Sequence, residues 1–203
     1  MFDYKDAFAS SGTLRDRVGV TRRSGLLHGT RVATRAGWRD VEAVAIGDAV
    51  LTFDHGFQTV MGIEHVMNWP DHETCPDQAA PLEVPVGALG NAEKVWLLPR
   101  QLVLVESDLA ETLTGDPFAI VTVDTLAGWK GIGPVLPRAP HAVVVLHFAQ
   151  DQMIYAAEGA LVHCQAMASI LDCMYGDLPY LPLERPAAQA IADDLRAQER
   201  VAA

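Results

Sequence analysis

Between residues 29 and 60 the chain meets a turn signal often enough to limit it to short antiparallel strands. Residues 31–35 end at Ala36-Gly37, where glycine supplies the positive φ of a tight hairpin. Residues 38–44 form a second run that stops at Gly47-Asp48. A third covers residues 49–53, turns at Asp54-His55-Gly56, and hands over to a fourth that starts at Phe57. Strands this short, with turn residues roughly every eight to twelve positions, indicate an all-β domain.

The same pattern continues downstream. Residues 58–66 extend as a longer strand, and residues 68–80, with Pro70 and Pro76, make a loop. Residues 81–86 are a strand running into Gly87-Ala88-Leu89-Gly90-Asn91. Residues 95–98 and 102–105 flank Pro99-Arg100-Gln101. Residues 107–116 read as a loop, 118–123 as a strand, and 124–126 as the start of a turn. Val143-Val144-Val145-Leu146 is the continuous apolar run of a strand buried on both faces. Residues 149–152 turn it back into residues 153–156, and Ala157-Glu158-Gly159 closes that hairpin.

The tail changes period. Leu161, Cys164, Ala168 and Leu171 have helical spacing over residues 161–175. Pro186 suits a first helical turn, and residues 187–201 carry Ile191 and Leu195 on one face, with Asp193, Arg196 and Arg200 elsewhere. That amphipathic helix is expected to pack on its own β domain; docking a protein partner is the alternative. The resulting division is a leader at residues 1–24, a β domain at 25–160 and a helical extension at 161–203.

The 203 residues carry 15 basic and 26 acidic side chains, a net charge of −11. That balance argues against nucleic acid, whose binding depends mainly on Lys and Arg. No apolar run approaches the roughly 18 residues a membrane-spanning helix needs. The first twenty residues are polar and mixed, without the apolar core of a signal peptide, so a cytoplasmic location is expected. Cys75, Cys164 and Cys173 are odd in number and widely spaced. Neither a disulfide framework nor a zinc pairing fits them, even with His163 beside Cys164, and buried thiols are expected. No metal and no cofactor is expected.

As an ordered set, Gly29-Thr30, the glycine hairpin, Val41-Glu42 and Gly47-Asp48-Ala49-Val50-Leu51-Thr52 resemble the opening of the Hint domain, the module of hedgehog C-terminal regions and inteins. Gly87-Ala88-Leu89-Gly90 and Ala157-Glu158-Gly159 resemble the bacterial stand-alone form. The resemblance spans about residues 25–160 and implies a curved, antiparallel Hint-like fold. The expected core includes Val32, Val41, Val44, Ile46, Leu51, Phe53 and Val60. Hint domains cut or splice their own backbone. Their nucleophile, normally Cys, lies four residues before the Gly of Gly-Thr, which here is Gly25, and glycine has no atom to attack with.

Ser24 is the nearby substitute nucleophile, although a one-residue offset on an extended strand aims it at the opposite face. His28, in the same approach, is a base or a solvated turn residue. The family's Ser-Pro-Asp-His-Arg-Val-Leu-Leu segment matches residues 98–105, so its His is replaced by Gln101, which hydrogen-bonds but delivers no proton. A further family His matches Gln152. The resemblance thus places Ser24, Gly25, Gln101 and Gln152 around one cleft, and implies a degenerate Hint-like domain that no longer cleaves itself and serves as a structural or protein-interaction module. Autoprocessing near Ser24 and Gly25 with unusual residues is the alternative. A hydrolase reusing the cleft through Asp124, His147 or Glu158 is a third. Glu158 matches a family residue with a structural role.

Overall fold

Every turn that glycine and short polar residues announce in residues 29–60 is formed, and it is these hairpins that build the first half of the molecule. The computed structural model describes residues 25–68, 80–136, 141–167 and 180–202. The leader, Ser24, Cys75 and Cys173 lie outside them. β1 (Leu26–Leu27), β2 (Arg31–Thr34), β3 (Gly37–Asp40), β4 (Ala49–Thr52), β5 (Gly56–Thr59) and β6 (Gly62–Asn68) come first. The β2–β3 turn works as expected: Gly37 has φ +101°, and Thr34 Oγ1 donates to Gly37 O at 2.7 Å.

β7 (Leu82–Val84), β8 (Val95–Leu97) and β9 (Leu102–Glu106) precede helix α1 (Asp108–Thr114) and β10 (Phe118–Thr122). Then follow β11 (Gly133–Pro134), β12 (His141–His147), β13 (Gln152–Ala156), β14 (Ala160–Cys164) and helix α2 (Arg185–Ala202). They form two sheets. One has the order β11-β7-β8-β1-β12-β6; the other runs β10-β9-β14-β13-β2-β4-β5, with β3 beside β2. The strand pairs are antiparallel, and a single isolated parallel bridge joins Phe148 to Ala166.

Several expectations need correction. Residues 161–164 are strand, not helix: β14 alternates buried Ala160, Val162 and Cys164 with half-buried Leu161 and His163, and pairs with β13 along its whole length. Residues 165–167 are not helical either, Ala166 forming a bridge to Phe148, and residues 168–175 of the expected helix lie outside the described residues. Residues 107–116 hold α1 rather than a loop. Ser107 caps it by accepting from Ala110 N, Gly115 ends it in the left-handed region, and Ala110 is its one buried side chain. The second run ends at Asp40, because Val41–Ala43 forms a 3₁₀ turn. Ile46 is 66% exposed and Phe53 37% exposed, so neither belongs to the core; Ile46 stands in the turn ahead of β4 instead of on a strand.

Leu51 also departs from expectation: it is half-buried, because β4 turns Val50 inward instead. Val32, Val41, Val44 and Val60 are buried as expected, and Val143 to Leu146 are buried on both faces of β12. α2 inserts Ala188, Ile191, Ala192 and Leu195 into the main core, the i, i+3, i+4, i+7 stripe of an amphipathic helix. Its Arg196 donates to Thr125 O at 2.6 Å and Ala127 O at 2.8 Å, and Glu199 accepts from Lys130 N at 2.9 Å. The helix is part of the domain's own packing.

Candidate functional site

β1 lies in the first sheet between β8 and β12, and Gly25 is the residue that leads into it. Gln101 leads into β9 of the second sheet. The two meet where the sheets approach: Gly25 N–H donates to Gln101 Oε1 at 2.8 Å. The other end of the same amide is also occupied, since Gln101 Nε2 donates to His163 O at 2.8 Å and to Leu102 O at 3.2 Å. Gln101 is 1% exposed with both ends of its amide satisfied, as a buried polar side chain must be. A cleft of about 100 Å³ opens beside them, lined by Gly25, Arg100, Gln101, His163, Cys164 and Gln165.

Gly25 adopts φ +120°, a conformation side chains rarely take. A Cβ added there would lie 2.5 Å from Val143 Cγ1 and 3.1 Å from Val145 Cγ2. Both valines sit on β12 and are held in the second core cluster with Leu27 and Leu98. A β-branched side chain is stiff at χ1, so this wall does not swing aside. The volume a nucleophilic side chain would need is filled by packed valine.

Gln152 does not join this cleft. It is fully buried on β13, opposite Cys164 in register, and His55 Nδ1 donates to its Oε1 at 3.1 Å. Its Nε2 has no hydrogen-bond partner among the described residues. So two of the sequence-selected positions, Gly25 and Gln101, come together and Gln152 stands one strand away against His55. Ser24 precedes the described residues.

The other candidates are dispersed. His28 is exposed and meets His65 edge-on with ring centres 6.5 Å apart. Asp124 accepts from Thr122 Oγ1 and lies 4.0 Å from Arg100. His147 Nε2 is 3.0 Å from Glu64 Oε1, and Glu158 pairs with Arg31 at 2.9 Å in the tight turn after β13. Asp124, His147 and Glu158 form no nucleophile–base–orienter set.

The sequence reading missed one pair. Asp151 and His163 face each other at 3.3 Å, and Asp151 Oδ1 also accepts from Ala166 N at 2.7 Å. Only the β13–β14 hairpin brings them together, so no local motif announces them. Burial holds His163 below the ordinary imidazole range, against the pull of Asp151. Burial, reinforced by Asp151, pushes the Cys164 thiol up to about 12. A thiol so displaced carries almost no thiolate and is inert as a nucleophile. Among the described residues no group of three or more His, Cys, Asp or Glu could hold a metal ion, and no helix is long and apolar enough to cross a membrane.

A family model described as a Hint domain matches residues 24–164. The chain belongs to the Hint domain family. Of solved structures, a bacterial intein-like domain from Clostridium thermocellum matches 70% of this chain and 99% of its own length, at 13% identity and a TM-score of 0.51. The gp41-1 intein covers 70% of this chain and 98% of its own length, at 12% identity and a TM-score of 0.42. No curated protein matches. At such identities the first likeness supports the fold alone.

Within this Hint domain, the Gly25 amide nitrogen donates to the oxygen of a neutral carboxamide, Gln101. An imidazole at the same place would bond the same N–H and also exchange a proton; a carboxamide cannot.

Proposed function

We propose that this Hint domain is catalytically silent and acts as a structural or protein-interaction module, with residues 1–24 remaining joined to it. The observation that carries the reading is Gly25 closed in by Val143 and Val145 while Gln101 holds its amide. Three losses coincide on one pathway. Position 25 has no nucleophile, and Gln101 and Gln152, at the two positions where the family carries His, deliver no proton. A positioned acid or base is typically worth about 10²–10⁴ in rate, and loss of a required nucleophile can cost about 10⁶. Combined, these leave no useful rate of self-cleavage. A protein partner, on this reading, meets the solvent face of α2 around Gln189, Asp193 and Arg200, and the net charge of −11 disfavours nucleic acid.

Autoprocessing through Ser24 is the second reading. It draws on the same 2.8 Å grip, because the bond it would break is still held at its nitrogen. Hydroxylamine separates the two, since it traps an ester or thioester wherever one forms. The silent reading expects one undivided band after prolonged incubation; release of a fragment ending at Ser24 would support autoprocessing.

A further inference from the structure

A groove of about 780 Å³ lies away from Gly25, between α2 and the far end of β9, and its volume is that of a small-molecule cleft. Its lining is largely apolar. Trp129 and Leu195 enter it from the main core, and Leu89 and Leu104 line it half-buried.

The β9–β10 pairing adds a polar anchor. Glu106 lies directly opposite Phe118, and Leu104 opposite Ile120. Alternation along a strand puts Leu104 and Glu106 on one side, and cross-strand partners share that face. A carboxylate therefore stands beside a phenyl ring that is 41% exposed, with an apolar pair next in line. Phe53 meets the Phe118 ring edge-on at 5.7 Å, and such contacts hold aromatic rings in place. Glu106 itself is exposed and has no ion-pair partner among the described residues.

The other charges of the lining are engaged. Lys130 N donates to Glu199 Oε2 at 2.9 Å, and the Lys130 ammonium is drawn over the Trp129 ring at 4.5 Å. Lys130 adopts φ +45° to do so, a region that residues other than glycine seldom enter. The groove is thus left with one unengaged charge, the Glu106 carboxylate. The chain's net charge of −11 has the same sign and concentrates cations around it.

We infer that the groove is a binding site for a small apolar amine. Its ammonium sits between the Glu106 carboxylate and the Phe118 ring, and its hydrocarbon body lies along Leu104 and Leu89 toward Trp129. A charge-assisted hydrogen bond and a cation–π contact then act on the same group, while the apolar body leaves water. An anion of the same shape meets an uncompensated carboxylate and is rejected. This activity goes beyond the proposed role of the domain and is independent of the fate of the bond between residues 24 and 25.

Three probes with one hydrocarbon body separate charge from shape: phenylbutylamine, phenylbutanol and phenylbutyrate, which are positive, neutral and negative at neutral pH. Each is titrated into the isotope-labelled full chain while backbone amide shifts are followed by NMR. The amine should shift Leu104, Glu106 and Phe118. It should bind about twofold to fivefold more tightly than the alcohol, the effect of one exposed ion pair, with phenylbutyrate weakest. Glu106→Gln should erase the advantage of the amine and leave the affinity of the alcohol in place. Glu111→Gln makes the same charge change on α1, outside the groove, and should leave that advantage intact. Equal binding of the amine and phenylbutyrate, shifts confined to residues outside the groove, or no binding by any probe would overturn the inference. So would an amine preference that survives Glu106→Gln, since net charge alone would then produce it. The intact mass of the same sample reports on the bond between residues 24 and 25 separately, so failure of this inference and failure of the silent reading are distinguishable.

Discussion

Gly25 and Gln101, 76 residues apart, are joined by a 2.8 Å hydrogen bond from a backbone N–H to a side-chain amide oxygen. That contact ties the entry of the domain to the head of β9, and through Gln101 Nε2 to β14. The two bonds of the Gln101 amide make it a clasp between the sheets.

The clasp makes Gln101 a stability determinant. In Gln101→Leu, Gly25 N–H and His163 O lose their partner in a buried setting, at a cost of about 1–3 kcal/mol for each group left unsatisfied. Gln101→His can replace only one of the two bonds and should fall between Leu and the native residue. Urea denaturation of the three proteins checks the order. Equal stability of all three would mean the amide contributes nothing.

Gly25→Cys should not bring back activity, and should destabilise. The new Cβ meets Val143 Cγ1 at 2.5 Å and must adopt φ near +120°. Overpacking of this kind costs about 1–3 kcal/mol, and the backbone strain adds to it. Because the clash is with Val143, Val143→Ala should relieve part of it. The double variant would then be more stable than the sum of the single effects predicts. Strict additivity in thermal unfolding would show that the valine wall is not what excludes a side chain.

How far such features can be read from residue order depends on whether their cause is local. The β2–β3 hairpin was readable because Gly37 and the flanking alternation act over a few residues. So was α2, whose buried stripe recurs along one segment. β14 was misread because Leu161, Cys164 and Ala168 happen to share a helical spacing, while the period that packs is Ala160, Val162, Cys164. α1 escaped because it buries one alanine and has almost no periodic signal. Gln101 and Gly25 were selected by family resemblance. Nothing near Gly25 in sequence reveals Val143, 118 positions on, and nothing near Asp151 points to His163 until the hairpin closes.

His163 and His141 should shape acid sensitivity. Burial lowers both in the folded protein, so below the unfolded imidazole value of about 6.5 the unfolded chain binds more protons. Their contribution is present above that value and is lost as pH falls through the window below it. Chemical denaturation between pH 7.5 and pH 5.5 should show stability declining with acid, and His163→Gln should flatten part of the decline. An unchanged slope would contradict a desolvated His163.

The C-terminal helix should be indispensable to the β domain. Ile191→Ala or Leu195→Ala removes a buried side chain from the main core, for about 2–5 kcal/mol each. Truncation before Arg185 also removes Arg196 from the carbonyls of Thr125 and Ala127, and should yield a chain without a cooperative thermal transition. A truncated protein that unfolds with native sharpness would place the helix outside the fold.

The central claim, that the bond between residues 24 and 25 outlives every condition that favours cleavage, is most directly tested by intact mass. Protein freshly expressed, then incubated with excess thiol and with hydroxylamine, should give one species at the full 21.9 kDa of the chain. A fragment starting at Gly25, growing with time and accelerated by either reagent, would contradict the account.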